Sequence, residues 1–456
     1  MLERFTVGNF LSFNKNQTLA MIAGNVQKNK DRLFLADDIK LLKFGAVYGA
    51  NAAGKSNLIK AMAFAQGIVH HGTKTIKTPN VYFRLDDMNK SRPSYFEFEI
   101  CIGSKSYAYG FELVLDKREI TEEWLIELGP VKEKEIFTRN TSTGMYSYDL
   151  SLIEESSRQR FEIYISDVKT VKNKTFLNYI VTDKEELHEQ NPKLSILKET
   201  FRWFQKLNIS FPDTPITMYD CLATENPEGI EKAIKSFSTG ITKVNAKTIT
   251  QEEALEGTPT AVREQIGKDI QNDCKERHSC GYRMNLGGRL ILVTIKEGIA
   301  DFKEITFSHN NLDTQSFSLN EESQGTQRLL DLLSVLVTSK NNSVFVIDEI
   351  DRSLHPKLTV HFVKNFLAIA KHKDIQLIIT THESHLLDLE ILRQDEIYFV
   401  EKNKNGASVL FPFDQFKERF DKKIEKAYLD GRYGGAPLFD TFFMPQEIIE
   451  TTEEGE

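Results

Sequence analysis

The segment Phe44–Ser56 constrains this chain more than any other. Phe44, Ala46, Val47 and Tyr48 read as a short, fully buried strand that ends at Gly49. Gly49-Ala50-Asn51-Ala52-Ala53-Gly54-Lys55-Ser56 follows and matches G-x-x-x-x-G-K-S. Leu58, Ile59, Ala61 and Met62 then begin a helical face. Strand, glycine loop and helix in that order are the context a phosphate loop requires. Successive backbone N–H groups can curl around phosphates, and the helix N-terminus adds favourable partial charge. Glycines at the loop ends allow turns that a Cβ would hinder. Lys55 is placed to reach the β- and γ-phosphates, and the Ser56 hydroxyl to ligate Mg²⁺. A chance match in a Gly/Ala loop is the dull alternative, and the flanking elements weigh against it. The motif predicts a bound nucleotide without selecting a family.

A second cluster lies almost 300 residues downstream. Val344-Phe345-Val346-Ile347 is a continuous apolar run, as expected of a central parallel strand, and it ends in Asp348-Glu349. Asp348 would hold Mg²⁺ and Glu349 would polarise an attacking water. Such a pair is a common solvated loop start, but beside a phosphate loop it reads as chemistry. Gln376–Thr380 is the next strand, followed by Thr381-His382-Glu383-Ser384. A lone loop histidine is usually a surface residue. At the end of the strand that succeeds the acidic pair, His382 could instead contact the γ-phosphate. Ser323-Gln324-Gly325-Thr326-Gln327 opens a helix faced by Leu329, Leu330, Leu332, Leu333 and Leu336. Its plain reading is a helix cap.

Between these clusters the pattern changes several times. Leu2, Phe5, Val7 and Phe10 mark a first strand. Phe96, Phe98, Ile100 and Ile102 alternate with other residues, Gly103-Ser104 makes a turn, and Tyr107, Tyr109, Phe111 and Leu113 alternate again. That is an antiparallel hairpin with one buried face. Further strands are expected near 120–128, Ile136 and Tyr146. Residues 183–278 carry apolar residues mostly at helical spacing, and strands return near 289–296 and 302–308. From Ser323 onward helices and strands alternate, as in an α/β sheet. The expected organisation is an ATPase core split in two. Residues 1–130 hold its N-terminal part with the antiparallel β subdomain, 131–285 a mainly helical insertion, 286–440 the C-terminal part, and 441–456 an acidic tail.

Together these strings resemble the ABC-class ATPases of the SMC, RecF and OLD type. The resemblance rests on Val7–Phe13, Tyr48–Asn57, Glu322–Leu330, Asp348–Pro356 and Thr380–His385. Within that class the chain looks most like compact AAA-type ATP-binding proteins of bacterial phage-defence operons. Asp395–Lys402 and Tyr428–Gly434 also look like that subgroup. The resemblance covers about 1–130 and 285–435. It implies an ABC-type P-loop head with ATP and Mg²⁺ as cofactors. Gly49, Asn51, Gly54, Lys55, Ser56 and Asn57 would bind nucleotide, Ser56 and Asp348 the metal, and Glu349 and His382 would serve catalysis. Ser323 and Gly325 match the signature loop, and Ser353 lies in the D-loop. In this class the signature serine faces the other subunit's nucleotide, which implies a head-to-tail dimer closed by ATP and opened by slow hydrolysis. The usual Q-loop glutamine is not recognisable: Gln66 lies too close to the phosphate loop, and 82–93 has no Gln.

Two functions follow from the resemblance. One is a defence ATPase that senses infection and controls a separate effector, such as a nuclease, encoded nearby. Only about 70 residues follow His382, too few for an appended Toprim-like domain. The other is a RecF- or SMC-like DNA-repair ATPase, but Pro192, Pro212, Pro215 and Pro227 interrupt any long heptad arm. Composition bears on this choice. A formal charge of -8 disfavours a coat for nucleic acid and leaves a local basic groove open, such as Lys169, Lys172 and Lys174. No run of about 18 apolar residues predicts a membrane span. With no signal-peptide pattern and four scattered cysteines, a reduced cytoplasmic protein is expected. Asn403-Lys404-Asn405-Gly406 lacks the Asp of a guanine-reading loop, and Cys274, His278 and Cys280 suggest zinc only superficially.

Overall fold

The computed structural model describes residues 1–37, 39–169, 171–213, 228–276, 279–309, 315–337, 340–416 and 424–430. Its centre is a six-stranded sheet in the order Leu207–Ser210, Ser343–Ile347, Ile375–Thr380, Phe44–Gly49, Ile397–Lys402, Ser408–Pro412. The first five strands run parallel and the last is antiparallel to its neighbour. The continuous apolar runs in these strands have a direct cause: both faces are buried. Val47, Val346, Ile378 and Val400 face one core. Tyr48, Phe345, Ile347, Ile379 and Phe399 face the other.

Helix Lys55–His71 fills the first core together with a seven-stranded antiparallel sheet. That sheet is built on the predicted hairpin, Ser94–Ile102 with Lys105–Val114, and Leu2–Gly8 pairs beside it. Helices Gln324–Val337 and Pro356–Ala370 cover the opposite face. The fold is thus the expected α/β core with an antiparallel β subdomain.

Residues 131–285, read from the sequence as one mainly helical insertion, are distributed over three places. Lys134–Asn140 and Met145–Tyr148 extend the antiparallel sheet. Helices between Glu155 and Lys206 then pack on it through Phe161, Phe176, Phe201 and Phe204. Leu207–Ser210 returns to the central sheet as an edge strand. From Glu228 onward the chain builds a small unit around a four-stranded sheet, ordered Ile241–Ile249, Ile299–His309, Arg289–Lys296, Ser279–Leu286. Ile241–Ile249 is mostly polar, and its strand state comes from pairing with Ile299–His309 rather than from its own pattern. Among the described residues no helix is long and apolar enough to cross a membrane. Cys101 and Cys274 are free. Pro215, Pro227, Cys221, His278 and the tail lie outside the described residues.

Candidate functional site

Strand register assembles the site. Thr380 pairs with Val47 and Ile379 with Ile347, so three adjacent parallel strands end along one edge of the sheet. Gly49, Asp348 and Thr381 leave those ends side by side. Ligands of open α/β sheets sit at such carboxyl-terminal edges.

The phosphate loop spans the strand Phe44–Gly49 and the helix Lys55–His71. Gly54 has φ 121°, and a Cβ there would lie 2.2 Å from the Ser408 hydroxyl. That hydroxyl donates to the Ala53 carbonyl at 2.5 Å and lies 2.8 Å from the Ser12 hydroxyl. The Asn57 side-chain amide donates to Ser12 at 2.8 Å. Asn57 therefore braces the loop from behind rather than lining its mouth, whereas Asn51 is exposed at the tip. Ser12 and Ser408, 396 residues apart, form the loop's outer wall and were missed in the sequence.

Lys55 is buried, and its amine donates to the carbonyls of Gly49 at 2.8 Å and Ala50 at 3.2 Å. Burial lowers its pKa to about 8, opposed by the charges of Asp348, Asp351 and Glu349. A cation held by two neutral acceptors fits a phosphate-bearing ligand, whose oxygens would serve it better.

Thr380 organises the acidic edge. Its hydroxyl donates to Asp348 Oδ1 at 2.5 Å and accepts the Glu349 N–H at 2.8 Å. Glu349 sits in the left-handed region at φ 46° and is half-buried. Buried Arg328, on the helix Gln324–Val337, donates to the carbonyls of Asp348 at 3.2 Å and Glu349 at 3.4 Å. The Asp351 carboxylate accepts the His382 backbone N–H at 3.3 Å. The His382 pKa is held low by partial enclosure and then by the Lys55 charge, so the ring is neutral near pH 7. The Asp348 carboxylate and Ser56 hydroxyl, hard oxygen donors at the site's edge, suit Mg²⁺. The sequence reading passed over Thr380, Arg328 and Asp351. A polar residue at the carboxyl-terminal end of the buried strand Ile375–Thr380 was the available signal for Thr380.

Ser323, Gly325 and Ser353, expected as signature and D-loop residues, make local contacts. The Ser323 hydroxyl accepts the Thr326 N–H at 3.2 Å and caps its own helix. A Cβ on Gly325 would lie 2.8 Å from the Ser353 carbonyl, so the turn at Gly325 and the loop at Ser353 touch within one chain. Among the described residues no hydrogen bond or ion pair joins Ser323, Gly325 or Ser353 to the phosphate loop. Gln66 is structural: its amide donates to the carbonyls of Phe204 and Leu207 at 2.7 and 2.8 Å. Asn403–Gly406 is the turn between two antiparallel strands. No group of three or more His, Cys, Asp or Glu among the described residues could hold a metal ion.

The sequence profile of a family described as AAA domain, putative AbiEii toxin, Type IV TA system matches residues 44–145 and 148–388. A curated relative, Endonuclease GajA from Bacillus cereus (strain HuB5-5), is 22% identical over 95% of this chain. The chain spans 65% of that relative's length. The structure of an SMC head bound to the C-winged helix domain of ScpA is similar at TM-score 0.41 and 14% identity, covering 91% of this chain and 99% of that one. The SMC head domain from Thermotoga maritima gives 0.34 and 14%, covering 90% and 98%.

Proposed function

Because the chain belongs to the family described as AAA domain, putative AbiEii toxin, Type IV TA system, we propose that it is an ATP-hydrolysing switch that controls a separate effector in defence against phage. The observation that supports this most is the single sheet edge on which Lys55, Asp348, Glu349 and His382 leave adjacent strands. Lys55 would exchange the Gly49 and Ala50 carbonyls for phosphate oxygens. Ser56 and Asp348 would hold Mg²⁺, which supplies charge neutralisation at the transferring phosphoryl group. Glu349 would orient a water and take its proton as the water oxygen bonds to the γ-phosphorus and ADP departs. His382, neutral and beside Lys55, would reach the γ-phosphate as a hydrogen-bond donor. Thr380 fixes the Asp348 carboxylate and the Glu349 backbone with one hydroxyl.

Ser323 and Ser353 would complete the site of a second copy in a head-to-tail dimer. Endonuclease GajA is the longer protein, of which this chain spans 65%, and any nuclease activity is assigned here to a separate effector protein encoded nearby. Mixing two inactive variants tests the arrangement. Lys55→Met disables a chain's own phosphate loop, and Ser323→Arg disables what it offers its partner. A mixed dimer then retains one intact site, so phosphate release should reappear on mixing. Absence of any recovery in mixtures shown to exchange subunits would refute the dimer.

Lys55 also sets a pH dependence. Its pKa in the free chain is about 8, and it should keep its proton against bound phosphates. Below that pH the amine is already charged and ATP affinity should be flat. Above it binding must take up a proton, so affinity should fall by up to about tenfold per pH unit. Titration calorimetry on both sides of this pH checks the expectation, and constant affinity would contradict it.

A further inference from the structure

We propose that the cleft at the C-terminal end of helix Lys55–His71 binds a phosphate-bearing ligand, at a site separate from the phosphate loop. The cleft has a volume of about 590 Å³. His71, Lys174, Lys198 and Arg202 line it from three elements, with Glu185 as the acidic residue among its lining groups. In a chain of net charge -8 this local surplus of cations runs against composition.

Nearby, Lys172 pairs with Glu119 and Arg160 with Glu186. Among the described residues Lys174, Lys198 and Arg202 form no ion pair. Lys198 and Arg202 are four apart on the helix Ser195–Lys206, where like charges repel and weaken the helix. Their field reaches the buried His188, whose pKa is lowered by burial first and by these two charges in addition. An anion seated between them would reverse that cost.

The walls are built in advance. Thr73 N–H donates to the Asn173 carbonyl at 2.9 Å, which fastens the loop carrying Lys174 to the helix end. Buried Arg139 donates to the Lys174 carbonyl at 2.9 Å. The Asn178 amide donates to the His70 carbonyl at 2.8 Å. Lys174 thus stands on a fixed backbone while its side chain is exposed. Cations carried on a fixed backbone on both sides of a concave site suit a phosphate group, which could come from a nucleic-acid strand or from a free nucleotide.

The test uses the full chain without ATP. A short fluorescein-labelled single-stranded oligonucleotide is titrated by anisotropy against wild type and Lys174→Glu/Arg202→Glu. ADP is titrated by calorimetry against Lys55→Met, with and without the same two changes, so that the phosphate loop does not contribute. Oligonucleotide binding that weakens about tenfold or more, with a shallower salt dependence, identifies a strand. ADP binding that is lost in the same way identifies a free nucleotide. Lys174→Gln/Arg202→Gln should fall between wild type and the reversed charges. Failure of both probes to bind the unreversed chains overturns the proposal, as does equal binding by the charge-reversed chain.

Discussion

A Glu349→Gln chain should bind ATP about as tightly as wild type and hydrolyse it on the order of 10²–10⁴ times more slowly. The substitution is nearly isosteric. It leaves the backbone N–H of residue 349 on the Thr380 hydroxyl, a bond of 2.8 Å. It also leaves Arg328 on the carbonyls of Asp348 and Glu349. What it removes is the carboxylate that could accept a proton from water. With chemistry blocked and binding intact, the ATP-bound dimer should accumulate and elute earlier in size exclusion. Phosphate release at the wild-type rate would move the base elsewhere, and Asp351, which holds the His382 backbone, would be the next to test.

That expectation could be drawn because the chemistry-bearing strings were legible in the sequence. The phosphate loop, the Asp348-Glu349 pair and His382 each follow a strand buried on both faces, and such strands announce themselves as apolar runs. Phe44–Gly49 and Ser343–Ile347 were found this way. The residues that hold the site together were not legible, because they act across long separations. Ser408 reaches Gly54 because its strand pairs with Ile397–Lys402, which pairs in turn with Phe44–Gly49. Thr380 meets Asp348 only through parallel pairing of their strands. The return of Leu207–Ser210 to the central sheet was hidden for a related reason. Four residues give no periodicity, and its register with Val344–Ile347 is set by the sheet. Helix Glu155–Val168 buries only Ser157, Phe161, Ile165 and Val168 in a charged run, a stripe too narrow to stand out.

Glu123→Ala should destabilise the chain by about 3–5 kcal/mol, the cost of breaking a buried ion pair by removing one partner. Its carboxylate is buried and accepts four bonds. Arg139 donates at 2.7 Å, the Tyr109 hydroxyl at 3.0 Å, and the backbone N–H groups of Phe176 and Leu177 at 2.6 and 3.1 Å. The last two open the helix Phe176–Val181, so a negative charge sits where that helix end is positive. Removing it leaves the Arg139 cation buried and without its counter-charge, together with two orphaned helix N–H groups. Glu123→Gln keeps the shape and an acceptor but loses the charge, so it should cost less. Arg139 also fixes the Lys174 carbonyl. The loss should therefore appear first as proteolytic sensitivity in the loop Lys172–Thr175, ahead of any change at the phosphate loop. A double replacement of Glu123 and Arg139 by apolar residues should cost less than the sum of the single changes. Unaltered denaturant unfolding of Glu123→Ala would mean that the network orders this region without stabilising it.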